Sequence, residues 1–258
     1  MPLITGTSGW QYRHWRETFY PRGVAQAKWL EYYAARFATV ESNAAFYRLP
    51  EAQTFAKWAE RTPEDFVMAV KASRYLTHIL RLNQPEEPVK LLVERASHLG
   101  GKLGPVLLQL PPSLHLELER LEQTLDAFPG DWRVAVEFRH KSWFTDEVRR
   151  VLERHNAALC LADRRGPVTP IWRTADWTYL RFHIGQSTPR PCYGREALET
   201  WLDRLRDCWS PNEDVYVYFN NDHLACALRD ARVFAMTGSH HGWRATRIPD
   251  PGEIRLAE

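Results

Sequence analysis

Short apolar runs recur along the chain at 3–6 (LITG), 39–41 (TVE), 66–71 (FVMAVK), 105–110 (PVLLQL), 133–138 (RVAVEF), 158–163 (ALCLAD), 178–183 (TYLRFH) and 215–220 (VYVYFN). They are mostly continuous rather than alternating, the pattern of strands covered on both faces. Between them lie helix-like stretches at 27–38, 51–62, 89–100, 116–128, 146–156 and 195–207, with another after Asn221. In the stretch 116–128, Leu118, Leu121, Leu125 and Phe128 recur three or four residues apart and give the helix one apolar face. Successive strands start roughly 20 to 40 residues apart, as right-handed crossovers around a parallel sheet require. Eight strand–helix repeats in a chain of this size predict an α/β fold, a single (β/α)₈ barrel with a closed parallel sheet, over residues 1–258. The tail from about 238 lacks periodicity and reads as irregular, with His240 and His241 as an exposed pair. A doubly wound open sheet is the structural competitor, but no GxGxxG or GxxxxGK follows an early strand, so no nucleotide-cofactor site is expected.

Composition narrows the class. A chain of 258 residues, 44% hydrophobic and 26% charged, buries enough surface to need no disulfide or structural metal. Lys and Arg number 34 against 32 Asp and Glu, and this near balance argues against an obligatory polyanion binder while leaving room for a local basic groove. Cys160, Cys192, Cys208 and Cys226 show no CxxC spacing, so reduced thiols and a cytoplasmic location are expected. The start MPLITGTSGWQ has no basic segment followed by an apolar one, and no 18-residue stretch is free of charge, so neither a signal peptide nor a membrane span is expected.

Six phrases then stand out together: GTSGWQYRHWRETFYP (6–21), VESNAAFYRLP (40–50), FVMAVKASRYLTH (66–78), GPVLLQLPPS (104–113), VAVEFRHKSWF (134–144) and VYVYFNND (215–222). In this order they resemble the domain of unknown function 72, or YecE-like, family across most of the chain. The resemblance implies a TIM-type barrel and brings no reaction with it. Ser42 and Ala44, beside Asn43, depart from the more apolar or hydroxyl-bearing residues of relatives, while Glu41, Asn43, Arg181, His183, Gly185, Asn220 and Asn221 are kept.

In a parallel barrel the C-terminal strand ends converge on one opening, so polar residues distant in sequence meet there. Glu41, Lys71, Gln109, Glu137, Arg139, Asp163, Arg181, His183 and Asn220 all fall at or just beyond such ends. Glu41 and Glu137 are the candidate acid/base pair, with a structural ion pair from Glu137 to Arg139 or Lys71 as the alternative. Lys71 suits a phosphate or carboxylate, and covalent Schiff-base chemistry is disfavoured because a lysine near two carboxylates stays charged. Arg139 and Arg181 offer forked donors to an anion, and Asn220 and Asn221 neutral ones. His183 is the candidate for proton transfer near neutral pH. Asp163 either orients His183 or Lys71, or caps a turn.

Trp10, Tyr12, His14 and Trp15 from the first loop, with Asn43 and Tyr47 from the second, form an aromatic rim over this polar floor. Trp10 and Trp15 divide equally between ligand contact and packing, and Phe46 reads as core. No cofactor is expected. A divalent metal held by Glu41, Glu137, Asp163 and His183 is a minority reading, since no HExxH is present and Lys71 would repel the ion. The sequence thus points to a barrel enzyme, a hydrolase or isomerase acting on a small polar, phosphate-bearing or sugar-like molecule. Its competitors are a nucleic-acid-binding protein that stacks an extruded or single-stranded base on the rim, and a noncatalytic metabolite sensor. The oligomeric state is not legible.

Overall fold

Eight parallel strands close into a barrel: β1 (Pro2–Ser8), β2 (Thr39–Ser42), β3 (Val67–Lys71), β4 (Leu103–Gln109), β5 (Val134–Glu137), β6 (Ala158–Asp163), β7 (Thr178–Phe182) and β8 (Val215–Phe219). Neighbours in sequence are neighbours in space, and β1 closes the ring by pairing with β8 (Thr5 opposite Val217) and β2 (Thr7 opposite Val40). The computed structural model describes residues 2–210 and 212–255. Its TIM-type architecture follows from strands whose two faces are both apolar for different reasons. Val40, Val106, Leu108, Val136, Leu180 and Phe219 point outward beneath the helices. Ile4, Ala69, Leu107, Ala135, Cys160, Tyr179 and Tyr218 fill the inside. Small inward residues such as Ala69 and Ala135 leave room for the tyrosines, and at Gly6 any Cβ would collide with the Thr39 carbonyl oxygen.

The helices are α1 (Trp29–Ala34), α2 (Ala44–Tyr47), α3 (Ala52–Glu60), α4 (Glu86–Ala96), α5 (Leu118–Asp126), α6 (Asp146–Arg154), α7 (Arg195–Cys208) and α8 (Cys226–His240). Helix α5 buries Leu121 and Leu125, two residues of its periodic face. α6 is capped by Thr145, whose hydroxyl accepts from the Val148 amide, and carries Asp146 and Glu147 in its first turn.

The expectation of a helix in every repeat fails once. Among the described residues, 164–177 between β6 and β7 is irregular; Pro167 and Pro170 lack the amide hydrogens a helix needs there, and Ile171 and Trp172 pack against the core instead. The segment beyond 238 is mostly irregular after α8 ends at His240, but a two-residue strand, β9 (Arg244–Ala245), pairs with the start of β1.

The cysteine expectation also needs correcting. Cys192 and Cys226 form a disulfide that ties the loop after β7 to the first residue of α8, while Cys160 and Cys208 are free. Their separation of 34 in sequence gave no local signal, because it is the side-by-side packing of β7 and β8 that brings the segments after them together. Among the described residues, no helix is long and apolar enough to cross a membrane.

Candidate functional site

Side chains alternate along a strand, so the residue two beyond an inward one is also inward. Two steps past Ala69, Leu107, Ala135, Tyr179 and Tyr218 stand Lys71, Gln109, Glu137, Arg181 and Asn220, and Glu41 joins them from β2. Arg181 lies at the centre and is only 1% exposed. Its Nη2 donates to Glu41 Oε1 at 2.8 Å and its Nη1 to Glu137 Oε2 at 2.5 Å. Tyr179 donates its hydroxyl to Glu41 Oε2 at 2.7 Å. Arg139 Nε donates to Glu137 Oε1 at 2.8 Å, and its Nη2 reaches Gln109 Oε1 at 3.1 Å. Lys71 Nζ donates to the same Gln109 oxygen at 2.8 Å and lies 4.0 Å from the centre of the Phe46 ring. Asn220 Nδ2 donates to His183 Nδ1 at 3.2 Å, which leaves the proton on His183 Nε2, buried and without a hydrogen-bond acceptor.

These contacts decide the protonation states. Burial would raise the Glu137 carboxyl, but the neighbouring positive charges, led by Arg181, hold it well below the usual carboxylate range. Burial would likewise lower Arg181, and Glu41 and Glu137 overrule it and keep the guanidinium charged. Lys71 is pushed down to about 8 by burial and then by Arg181. Near neutral pH the amine therefore stays mostly protonated, but with a smaller margin than two nearby carboxylates would give, because Arg181 engages both of them and the acceptor facing Lys71 is a neutral amide. His183 falls to about 3, first through burial and next through Arg181, so near neutral pH it is an uncharged donor rather than a proton shuttle.

Above this layer opens a cavity of about 380 Å³, lined by Gly9, Trp10, Gln11, Tyr12, Asn43, Ala44, Tyr47, Lys71, Gln109, Arg181 and Asn220. Tyr12 is fixed by donating to the Ser8 carbonyl at 2.5 Å, and Asn43 donates to the same oxygen at 3.3 Å. Trp10 shows an edge to Trp58 and is nearly buried, so it contributes wall rather than rim.

Four sequence candidates lie elsewhere. Trp15 is fully buried, with its indole donating to the Asp222 carbonyl, and His14 contacts that same carbonyl at 2.9 Å; both hold the first loop to the eighth. Asp163 accepts from the Trp201 indole at 2.8 Å and touches neither the His183 ring nor Lys71. Asn221 donates to Asp230 and to the Pro191 carbonyl, away from the mouth. The last two follow from parity. Cys160 and Tyr218 point inward, so Asp163 and Asn221, an odd number of steps further on, point outward.

Three residues were missed. Phe46, read as core, is the ring beneath Lys71. His78 stacks edge-on to Phe46 and is lowered to about 4 by burial and by Lys71. Arg164 approaches Glu137 at 3.9 Å from the turn after β6. Phe46 lies on the short α2, His78 on a single helical turn after β3 and Arg164 on the turn after β6, segments whose course no strand pattern dictates; for Arg164, the basic pair immediately after a strand end was the available signal.

The four-residue metal set does not converge, because Arg181 stands between Glu41 and Glu137 while Asp163 faces α7. Among the described residues, no group of three or more His, Cys, Asp or Glu side chains is arranged to hold a metal ion.

Comparison with known proteins reaches nearly the whole chain. Residues 4–252 match the family model described as "Protein of unknown function DUF72". The UPF0759 protein YecE of Escherichia coli is 29% identical over 224 residues, covering 77% of this chain and 81% of YecE. The UPF0759 protein YunF of Bacillus subtilis is 28% identical over 253 residues, covering 85% and 89%. A crystal structure of a DUF72 family protein from Thermotoga maritima superposes with a TM-score of 0.79 at 28% identity, over 92% of this chain and 99% of that one. One from Enterococcus faecalis, at 18% identity, gives a TM-score of 0.76 over 92% and 95% and bears on the fold alone.

Proposed function

The chain belongs to the DUF72 family, whose description carries no activity, and from the mouth geometry we propose that the cavity binds the anionic group of a small polar molecule and that Lys71 is its proton-transferring residue. One observation carries the reading. Four cationic side chains, Lys71, Arg139, Arg164 and Arg181, surround two carboxylates, and those two are already engaged by Arg181, Arg139 and Tyr179. Lys71 and Arg181 face a cavity of about 380 Å³, with Arg139 and Arg164 behind them; the cavity is large enough for a phosphate or carboxylate with a small body attached.

Glu41 and Glu137 serve in this reading as fixed counter-charges that hold Arg181, and not as the exchanging acid/base pair. Lys71, poised near 8, loses and regains a proton close to physiological pH, which suits a general acid or base in hydrolysis or isomerisation. Asn220 and Gln109 orient the ligand, with Tyr12, Asn43 and Tyr47 as the rim. A base-stacking, nucleic-acid-binding role has weaker support, because Trp10 and Trp15 are both buried. A cytoplasmic location belongs to the proposal as well, and the Cys192–Cys226 disulfide counts against it. Alkylation of freshly lysed cells tests it: a cytoplasmic protein shows the pair reduced, and an oxidised pair overturns that location.

Titration calorimetry with inorganic phosphate tests the binding site. We expect one site per chain, weakened about 10-fold or more by Lys71→Met or Arg139→Met with the circular dichroism unchanged. Absence of binding at low salt, or binding indifferent to both substitutions, would overturn the reading. A ligand that binds through this site without being turned over would assign the protein as a sensor.

A further inference from the structure

A second cavity, an apolar groove of about 730 Å³, lies beside the charged one, with Phe46, Leu49, Tyr75, Leu80 and Leu91 along it. We propose that the ligand of the barrel mouth has a single anionic end and a flat aromatic body, with the anion at Lys71 and the body in this groove. The inference rests on the anion-binding reading above and names its substrate class.

The two cavities meet at α2. Ala44 lines the charged cavity, Ala45 and Phe46 line the groove, and Tyr47 lines both. Phe46 is the physical link: its ring lies 4.0 Å from Lys71 Nζ and also forms part of the groove wall. A ligand whose charge meets Lys71 therefore has its next atoms beside an aromatic surface.

Exposure points the same way. Tyr47 is 82% exposed, Tyr75 54% and Leu91 41%, three large apolar side chains left facing water around one depression. Aromatic walls favour a flat ring, which stacks or meets them edge-on.

Charge sets the orientation. The polar residues of the groove include Glu86 and Glu87, so its acidic wall repels a second anionic group, while Lys71 attracts the first. The backbone bordering the groove is held in an uncommon form. Arg81, Leu82 and Gln84 all have positive φ, at 56°, 62° and 47°, and Gln84 lines the groove. Leu82, fully buried, and Arg81, which donates to the Ser113 carbonyl at 2.7 Å, fix this segment.

The test compares naphthyl phosphate with inorganic phosphate by calorimetry on the intact chain. Naphthyl phosphate should bind about 30-fold more tightly, the gain expected from burying one face of the ring system. Leu91→Glu and Tyr75→Ser, both at exposed positions, should each remove most of that advantage and leave inorganic phosphate unaffected. Lys71→Met should weaken both ligands. The inference is overturned if naphthyl phosphate gains nothing, if its gain survives both groove substitutions, or if its binding ignores Lys71→Met. In these cases inorganic phosphate still binds and the anion-binding reading stands. If neither compound binds, both proposals fall.

Discussion

The lower and upper layers of the barrel interior are built by the same strands, but the lower is closed to water while the upper borders the cavity, and they are held together in opposite ways. Below, Ala69, Leu107, Ala135 and Tyr218 interlock as small and large apolar bodies. One inward step above, Lys71, Gln109, Glu137 and Glu41 form a network of charges and amides with Arg139 and Arg181. The lower layer tolerates exchange of one hydrophobe for another of similar volume. The upper layer has each buried charge answered by a particular partner, so removing one leaves another stranded. A barrel therefore concentrates its chemical specificity in the last inward residue of each strand, and the layer beneath is a platform.

Substitutions can break this contrast. Arg181→Met should cost about 3–5 kcal/mol in urea denaturation, since it strands two buried carboxylates. Adding Glu41→Gln and Glu137→Gln should restore most of that loss; a single variant as stable as the wild type would contradict the network. Ala135→Leu, in the lower layer, should cost about 1–3 kcal/mol through overpacking without changing phosphate affinity. Tyr179→Phe acts at the boundary, because its hydroxyl is the rung from the lower layer to Glu41; about 1–2 kcal/mol should be lost as that carboxylate oxygen loses its donor. Tyr47→Ala, on the exposed rim, should change stability by less than about 0.5 kcal/mol.

pH sharpens the same comparison through Lys71. Its folded value, about 8, lies below its ordinary 10.5, so between these limits the unfolded chain holds a proton that the folded chain has released. Stability linked to Lys71 should accordingly rise with pH across that window, and the cost of burying its charge is fully present below it. Phosphate affinity should move the opposite way, falling as pH passes about 8, because the cation that attracts the anion is lost. His183 should add no inflection of its own in the usual histidine range, since its ring is held near 3.

The strands were legible because burial on both faces leaves continuous apolar runs, and each run coincides with a strand to within two residues at either end. The polar layer was legible as strand ends: Glu41, Lys71, Gln109, Glu137, Arg139, Arg181, His183 and Asn220 do meet. Position at a strand end does not settle direction, however, and counting in twos from the apolar inward residues would have sent Asp163 and Asn221 outward. Charge balance inside the layer was legible only in part, through the Glu137–Arg139 pair. That Arg181, rather than Lys71, takes both carboxylates depends on reach and angle across the barrel, which no spacing along the chain encodes. Phe46, His78 and the disulfide belong to segments after neighbouring strands, whose course over the barrel end no strand pattern dictates.

The most direct test is an NMR titration of the Lys71 side-chain nitrogen in protein carrying nitrogen-labelled lysine, with Lys71→Met to assign the signal, in the absence and presence of phosphate. The account predicts a midpoint near pH 8 that moves upward when phosphate binds. A midpoint at the ordinary lysine value, or one that phosphate leaves in place, would contradict it.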